Sequence, residues 1–363
     1  MSTHTRVKAA RWTTAIAAAA VLALTGTGAE AAAPVSGTEA VITVGARGAL
    51  PVVSPDGTKA YVVATEADNT LKVKVVDTQS GAITGQLTLG TTAFSVYPAL
   101  SADGSRLYVV NGPQLTVVNT AALTAVATVA LPDQPRQAGW YPGTPSGVAV
   151  SPDGAKVYVV QNGPTAYRQY GPGRVLAFAT AQQAFTASVQ VPGSFTGTAA
   201  VRPNGQDVYV GSSSGVSHLN TAGAAPTLVG TIAGTDLDYR PVLTPDGTRL
   251  IAVADGSKGG QADLIDPATD TVTKHVALTS GYTSLTNPQI SVDGTRLYVT
   301  NDNYDSGSSV FSFDSTTGAA YPAETVSPDE DQLNGLAVGP DGHTLYIGGT
   351  IGSSAANLQI VSN

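Results

Sequence analysis

The stretch Gly147-Val148-Ala149-Val150-Ser151-Pro152-Asp153-Gly154-Ala155-Lys156-Val157-Tyr158-Val159-Val160 decides the fold. Its first four residues alternate small and apolar side chains, the pattern of a short strand. Ser151-Pro152-Asp153-Gly154 then reverses the chain. Pro152 presets φ for the first turn position, and Gly154 supplies the positive φ that a tight turn needs. Lys156 to Val160 is β-branched and aromatic and reads as the returning strand. Two more strand-like runs follow, near Arg174 to Phe178 and near Phe185 to Val191. Four antiparallel strands make one unit.

The same turn recurs seven times, at Asp56-Gly57, Asp103-Gly104, Asp153-Gly154, Asn204-Gly205, Asp246-Gly247, Asp293-Gly294 and Asp341-Gly342. Successive copies are 47, 50, 51, 42, 47 and 48 residues apart. A period in this range belongs to propellers and arrays. A string of sandwich domains would need about 100 residues per unit. One four-stranded unit cannot bury both of its faces, whereas units packed around an axis bury them all. The chain is therefore expected to be all-β, a seven-bladed β-propeller with four-stranded antiparallel blades. The last repeat, from Asn334, has room for only three strands, and Glu39-Ala40-Val41-Ile42-Thr43-Val44 precedes the first. This N-terminal strand is expected to fill the fourth place of the last blade and close the ring.

The second strands read Tyr61-Val62-Val63-Ala64, Tyr108-Val109-Val110-Asn111, Tyr158-Val159-Val160-Gln161, Tyr209-Val210-Gly211-Ser212, Tyr298-Val299-Thr300-Asn301 and Tyr346-Ile347-Gly348-Gly349. The third strands include Val75-Val76-Asp77-Thr78, Val117-Val118-Asn119-Thr120 and Leu264-Ile265-Asp266-Pro267. With the literal Tyr-Val-Thr-Asn run behind Val292-Asp293-Gly294, the chain resembles the YVTN-type β-propeller repeat family over residues 38–363. The fifth repeat departs from the pattern, with Ile251-Ala252-Val253-Ala254, but Ile and Val still suit a strand. The resemblance implies the propeller fold. It leaves function open, since the family includes binding proteins, surface proteins and lactonase-like relatives.

Residues 1–31 read as a secretory signal peptide. Arg6, Lys8 and Arg11 form a basic start, Thr13 to Leu24 an apolar core, and Ala29-Glu30-Ala31 a small-x-small cleavage site. Residues 32–37 are a short linker. The chain has no cysteine, so neither disulfides nor a lipidated cysteine are expected, and a secreted, extracellular protein follows. The net charge is −8, and loss of the leader makes it two charges more acidic. An acidic chain without a basic stripe is not a nucleic-acid binder. No second apolar run predicts membrane insertion, and a monomer is expected unless the chain joins an extracellular complex.

In an antiparallel blade, the Asp-Gly turns and the turns between third and fourth strands share one face of the ring. The longer loops between second and third strands, and the blade-to-blade connections, share the other. The aromatic and irregular segments fall on that second face. They include Tyr97, Trp140-Tyr141, Tyr167-Arg168, Tyr170, Asp238-Tyr239-Arg240, Tyr282 and Asn303-Tyr304, the candidate ligand-binding residues. Tyr and Trp stack on sugar rings or anchor protein partners, and Arg adds planar hydrogen bonding. The plainer reading is that they pack on one another to order long loops.

Catalytic chemistry has little to work with. Only His218, His275 and His343 follow the leader, none among the aromatic loops, so Ser–His–Asp and Cys–His mechanisms and zinc sites lack their usual residues. Asn301 to Gly307 faintly resembles a Ca²⁺ loop, but its Gly falls one place late and Ser312 stands where a bidentate Glu is needed. An Asx-rich turn and a solvated Asp329-Glu330-Asp331 run are the expectation, with no catalytic residue, metal or cofactor assigned. The expected function is a secreted, non-enzymatic recognition or scaffold protein that binds a glycan or a protein partner through its loop-rich face. The alternative implied by the resemblance is a lactonase-like hydrolase or lyase with a divalent cation in the axial funnel. Glu66, Asp238, Asp302, Asp331 and Asn334 are its available ligands.

Overall fold

Every second strand places consecutive residues against two different neighbours, and this builds the ring. In the computed structural model, which describes residues 37–93, 95–235, 239–256, 258–281, 283–302, 307–328, 332–351 and 355–362, Tyr61 and Val63 pack into one buried cluster with Leu107 and Val109 of the next blade. The intervening Val62 and Ala64 pack into another, with Tyr346 and Leu358 of the last blade. Side chains alternate across a strand, so a Tyr-Val-Val run serves two seams at once. The seams hold seven such clusters. Six seams receive the Tyr of the repeat, and the fifth receives Ile251 in its place, so the departure of the fifth repeat leaves its seam filled.

The blades run in chain order around an axial channel. Their innermost strands are Arg47–Val53, Val96–Leu100, Pro145–Val150, Thr196–Val201, Arg240–Leu243, Leu285–Ile290 and Gln332–Val338. Six blades have four hydrogen-bonded strands. In the last, Gly37–Gly45 pairs antiparallel with Ala355–Ser362, from Gly37 opposite Ser362 to Gly45 opposite Ala356. The first and last segments of the propeller thus share one sheet and close the ring.

The sixth blade differs. Its sheet has three continuous strands, ending with Ser309–Asp314. The outer place is taken by a segment that touches this strand at two isolated bridges, Val310 with Val326 and Phe313 with Ala320. Between them lies a 3₁₀ turn, Pro322–Glu324. Pro322 has no N–H to give a ladder. Glu324 accepts from Arg296 Nε at 3.1 Å and Ser312 Oγ at 2.8 Å, and Arg296 stacks over Tyr321 at 4.0 Å. Side-chain bonds replace the missing strand bonds.

Five of the seven turns share one construction. Ser101 Oγ donates to Asp103 Oδ1 at 2.6 Å, the N–H of Ser105 donates to the same oxygen, and Ser101 Oγ accepts from the N–H of Arg106 at 3.0 Å. The same set recurs around Asp56, Asp153, Asp246 and Asp293. The residue after the third strand clamps the turn from outside: Thr78 Oγ1 donates to the carbonyl of Gly57, and Thr120, Thr180, Thr221 and Ser315 do the same in the second, third, fourth and sixth blades. Gly104 has φ 71, and a Cβ there would lie 2.8 Å from Pro55 of the preceding turn. At Gly104 glycine is required both by φ and by space.

Candidate functional site

On the opposite face an Asn or Asp at the end of the second strand accepts an incoming backbone N–H, at Asn111, Asn162, Asp255 and Asn301, and each connection adds bonds of its own. Residues 131–144 join the second blade to the third. Gln134, almost wholly buried, donates to the carbonyl of Asn162 at 2.9 Å and accepts from the N–H of Gly143 at 2.7 Å. Arg174, also buried, donates Nε to Gln161 Oε1 at 2.7 Å and its Nη atoms to the carbonyls of Pro132 and Asp133. Buried polar groups fully satisfied in this way fix a loop in one conformation. Neither residue was singled out by the sequence reading. The visible signal was Arg174 itself, a charged residue inside the apolar run Gly173 to Ala179.

On this base the chain exposes aromatic rings. Thr165–Ala166 and Gln169–Tyr170 form a small hairpin whose tip is Tyr167-Arg168. Arg168 takes φ 56, and its guanidinium lies 5.9 Å from the centre of the Tyr167 ring. Tyr141 exchanges two backbone hydrogen bonds with Thr165, so the 131–144 connection and the hairpin are tied together. Tyr170 contacts Phe195, in the next connection, at 5.1 Å between centroids. Tyr167 is 88% exposed, Tyr141 74%, Tyr170 54% and Phe195 46%. Trp140 is half-buried beside them. The structure therefore brings Trp140, Tyr141, Tyr167, Arg168 and Tyr170 into one neighbourhood and adds Phe195.

The other candidates lie elsewhere. Tyr97 is half-buried on an innermost strand and lines the channel. Burial pushes its phenol up, and the Arg240 guanidinium opposes that shift. Arg240, at the start of the fifth blade's innermost strand, also lowers Asp255, whose carboxyl burial pushes up against the N–H of Leu285. Tyr239 belongs to the core: it is fully buried, and its hydroxyl donates to Asp263 Oδ2 at 2.5 Å. Asp263, itself fully buried, also accepts from His275 at 2.6 Å. Asp238, Tyr282, Asn303 and Tyr304 lie outside the described residues, as do Phe94, Asp236, Leu237, Asp305, residues 329–331 and the leader.

The channel has a volume of about 570 Å³ and is lined by all seven innermost strands. Its described walls are backbone and apolar side chains such as Leu50, Val148, Val242 and Leu336, with Thr198, Asn287 and Gln289 as polar members and no carboxylate. Glu66 is bound to Lys74 at 2.8 Å and Lys72 at 3.6 Å, and Asn334 lines a separate pocket. Among the described residues no three His, Asp or Glu side chains gather as metal ligands. His218 is bonded through both ring nitrogens, to Asp270 at 2.7 Å and Asp207 at 3.0 Å, and stacks on Tyr209. It joins the fourth blade to the fifth.

No family model matches the chain, and no curated protein matches it. Among solved structures it is similar to the hydrazine synthase of Kuenenia stuttgartiensis. The TM-score is 0.64 and the identity 16%, over 90% of this chain and 98% of that one. At that identity the likeness is one of fold, and it supports the seven-bladed propeller.

Proposed function

We propose that this chain is a secreted recognition module whose loop-rich face binds a glycan or a protein partner. One observation carries the reading: Tyr141, Tyr167, Tyr170 and Phe195 come from three successive chain segments and are 46 to 88% exposed on a hydrogen-bonded base. Exposed aromatic rings cost solubility unless something covers them. A rigid base lowers the ordering cost of binding. Separate ring faces with Arg168 alongside suit the apolar face of a sugar and its hydroxyls, so the glycan is the favoured occupant. The leader read from residues 1–31 supports an extracellular setting.

The test pairs a glycan-binding screen with partner capture from culture medium, using the mature chain and a Tyr141→Ala/Tyr167→Ala variant. The expected result is a ligand retained by the first and lost by the second at unchanged melting temperature. Blanks in both arms, or a ligand bound equally by the variant, would sink the reading.

A further inference from the structure

The innermost strands turn one edge of their backbone toward the axial channel, and the hydrogen bonds show which residues do so. The residue two places before the Asp or Asn of each turn donates its N–H to the second strand. In the first blade Ser54 donates to the carbonyl of Lys59, and in the last Gly339 donates to that of Thr344; the seven bonds measure 2.7 to 3.0 Å. Bonded and non-bonded residues alternate along an antiparallel pair. Val52, opposite Tyr61, therefore bonds outward to the second strand, and Val53 and Pro51 direct their backbone groups at the axis. The other blades follow the same alternation, with the repeat Tyr, or Ile251 in the fifth, opposite the outward-bonding residue.

At the level of Pro51, four of the seven blades carry proline: Pro51, Pro98, Pro241 and Pro288, each five residues before the Asp of its turn. All four line the channel, and the other three blades place Val148, Ala199 and Leu336 there. Proline keeps its carbonyl but has no N–H. The ring at this level therefore offers seven carbonyl acceptors and only three N–H donors. An edge strand tolerates proline wherever its N–H is unused, yet the next axis-facing position, that of Val53, is proline in no blade. No described residue of the lining is charged. At the loop-face end the Arg240 guanidinium acts on Asp255, whose carboxyl it lowers. At the other end the strands run into the turns, six of which carry Asp. The basic residues of those turns, such as Lys59, Arg106, Lys156 and Arg296, begin the second strands, one strand farther from the axis. That mouth favours the entry of a cation.

We propose that the axial channel binds a primary alkylammonium ion, with its head among the proline-level carbonyls and its chain on the apolar wall. An ammonium has three N–H donors and no acceptor, which matches a ring with carbonyls in excess. The alkyl chain lies against Leu50, Val148, Val242 and Leu336. The volume of about 570 Å³ suits a small molecule. The site is separate from the aromatic platform and does not depend on it.

The probe is hexylammonium, titrated by calorimetry into the full mature chain. Its comparators are 1-hexanol, which keeps the chain but not the charge, and hexanoate, whose head only accepts. Saturable binding with a dissociation constant of about 1 mM or tighter is expected, with hexanol at least about tenfold weaker and hexanoate not bound. Pro98→Ala/Pro241→Ala restores two N–H groups to the ring and should weaken hexylammonium severalfold at unchanged melting temperature. Tyr141→Ala/Tyr167→Ala should leave its affinity unchanged, which excludes a cation resting on the platform rings and separates failure here from failure of the platform. A crystal soaked in hexylammonium should show it on the axis at the level of the four prolines. No saturable binding, hexanol or hexanoate bound as tightly as the amine, unchanged affinity in the folded proline variant, or density only outside the channel overturns the proposal. The ligand comparison and the soak need no variant, so both stand even if one does not fold.

Discussion

The two faces of this ring solve different problems. On the Asp-Gly face five of the seven turns are built in the same way. One construction therefore recurs: a Ser or Thr hydroxyl, an Asp carboxylate, a glycine at positive φ and a hydroxyl clamp from the third strand. On the loop face one Asn or Asp bond to an incoming N–H recurs, at Asn111, Asn162, Asp255 and Asn301, and the connections otherwise differ in length and anchoring. Gln134 and Arg174 anchor one, Asn111 another, and Asn162 a third, through Thr196. Repetition marks where the backbone geometry is fixed. Its absence marks where side chains are free to meet a ligand, on a scaffold the other face keeps rigid.

The comparison assumes a closed ring, and the largest effect comes from opening it. Deleting residues 1–45 removes the Gly37–Gly45 strand and bares the edge of Ala355–Ser362. Fully buried Val44 and half-buried Ile42 leave the seam between the last and first blades. Losing these two side chains costs about 2–4 kcal/mol, and the exposed edge invites aggregation. The expected outcome is an insoluble chain, or one with a much lower melting temperature and a smaller urea midpoint. A truncated chain that melts like the full one would show that the ring does not depend on this closure.

The next effect contrasts the faces directly. Gly104→Val places a β-branched side chain at φ 71, with its Cβ 2.8 Å from Pro55. Strain of this kind costs about 1–3 kcal/mol. Tyr167→Ala removes a far larger side chain, but one that is 88% exposed at a hairpin tip. Surface substitutions of that sort stay within about 0.5 kcal/mol. Urea unfolding of the two variants should separate them clearly. Similar losses would mean that the loop face carries structure as much as the turn face does.

This asymmetry also explains what could be read from the sequence. The blade count, the strand order and the closing strand were legible because local turn chemistry and period-two patterning agree at every repeat. The third-strand ending in Val75-Val76-Asp77-Thr78 was visible, but not that Thr78 reaches back to the carbonyl of Gly57. The irregular outer edge of the sixth blade hung on Pro322, a single residue with no repeat to compare against. The loop face was legible only as a side of the ring. Tyr141 and Tyr167 are brought into one neighbourhood by the bridge of Tyr141 with Thr165, whereas Tyr239 turns inward onto Asp263. Nothing in local pattern separates those two fates, because each depends on which buried partner the rest of the fold supplies.

The smallest effect sharpens the comparison by sign. Hydroxyl and N–H donors hold Asp103 and Asp246 down, from 3.8 to about 2. A carboxylate whose folded value is depressed binds fewer protons in the folded state. Its contribution is therefore complete above the unfolded value and is lost as pH falls through about 2. Asp255, on the loop face, runs the other way, because burial raises it against the N–H of Leu285. Its contribution is complete below the unfolded value and is lost as pH rises through the raised one. Asp103→Asn should thus flatten the fall in melting temperature on the acid side of pH 4, whereas Asp255→Asn should flatten a loss on the side above it. Both carboxylates are read by the same scan of melting temperature against pH. If the two variants change the profile on the same side, the electrostatic distinction between the faces fails while the architecture that produced it still stands.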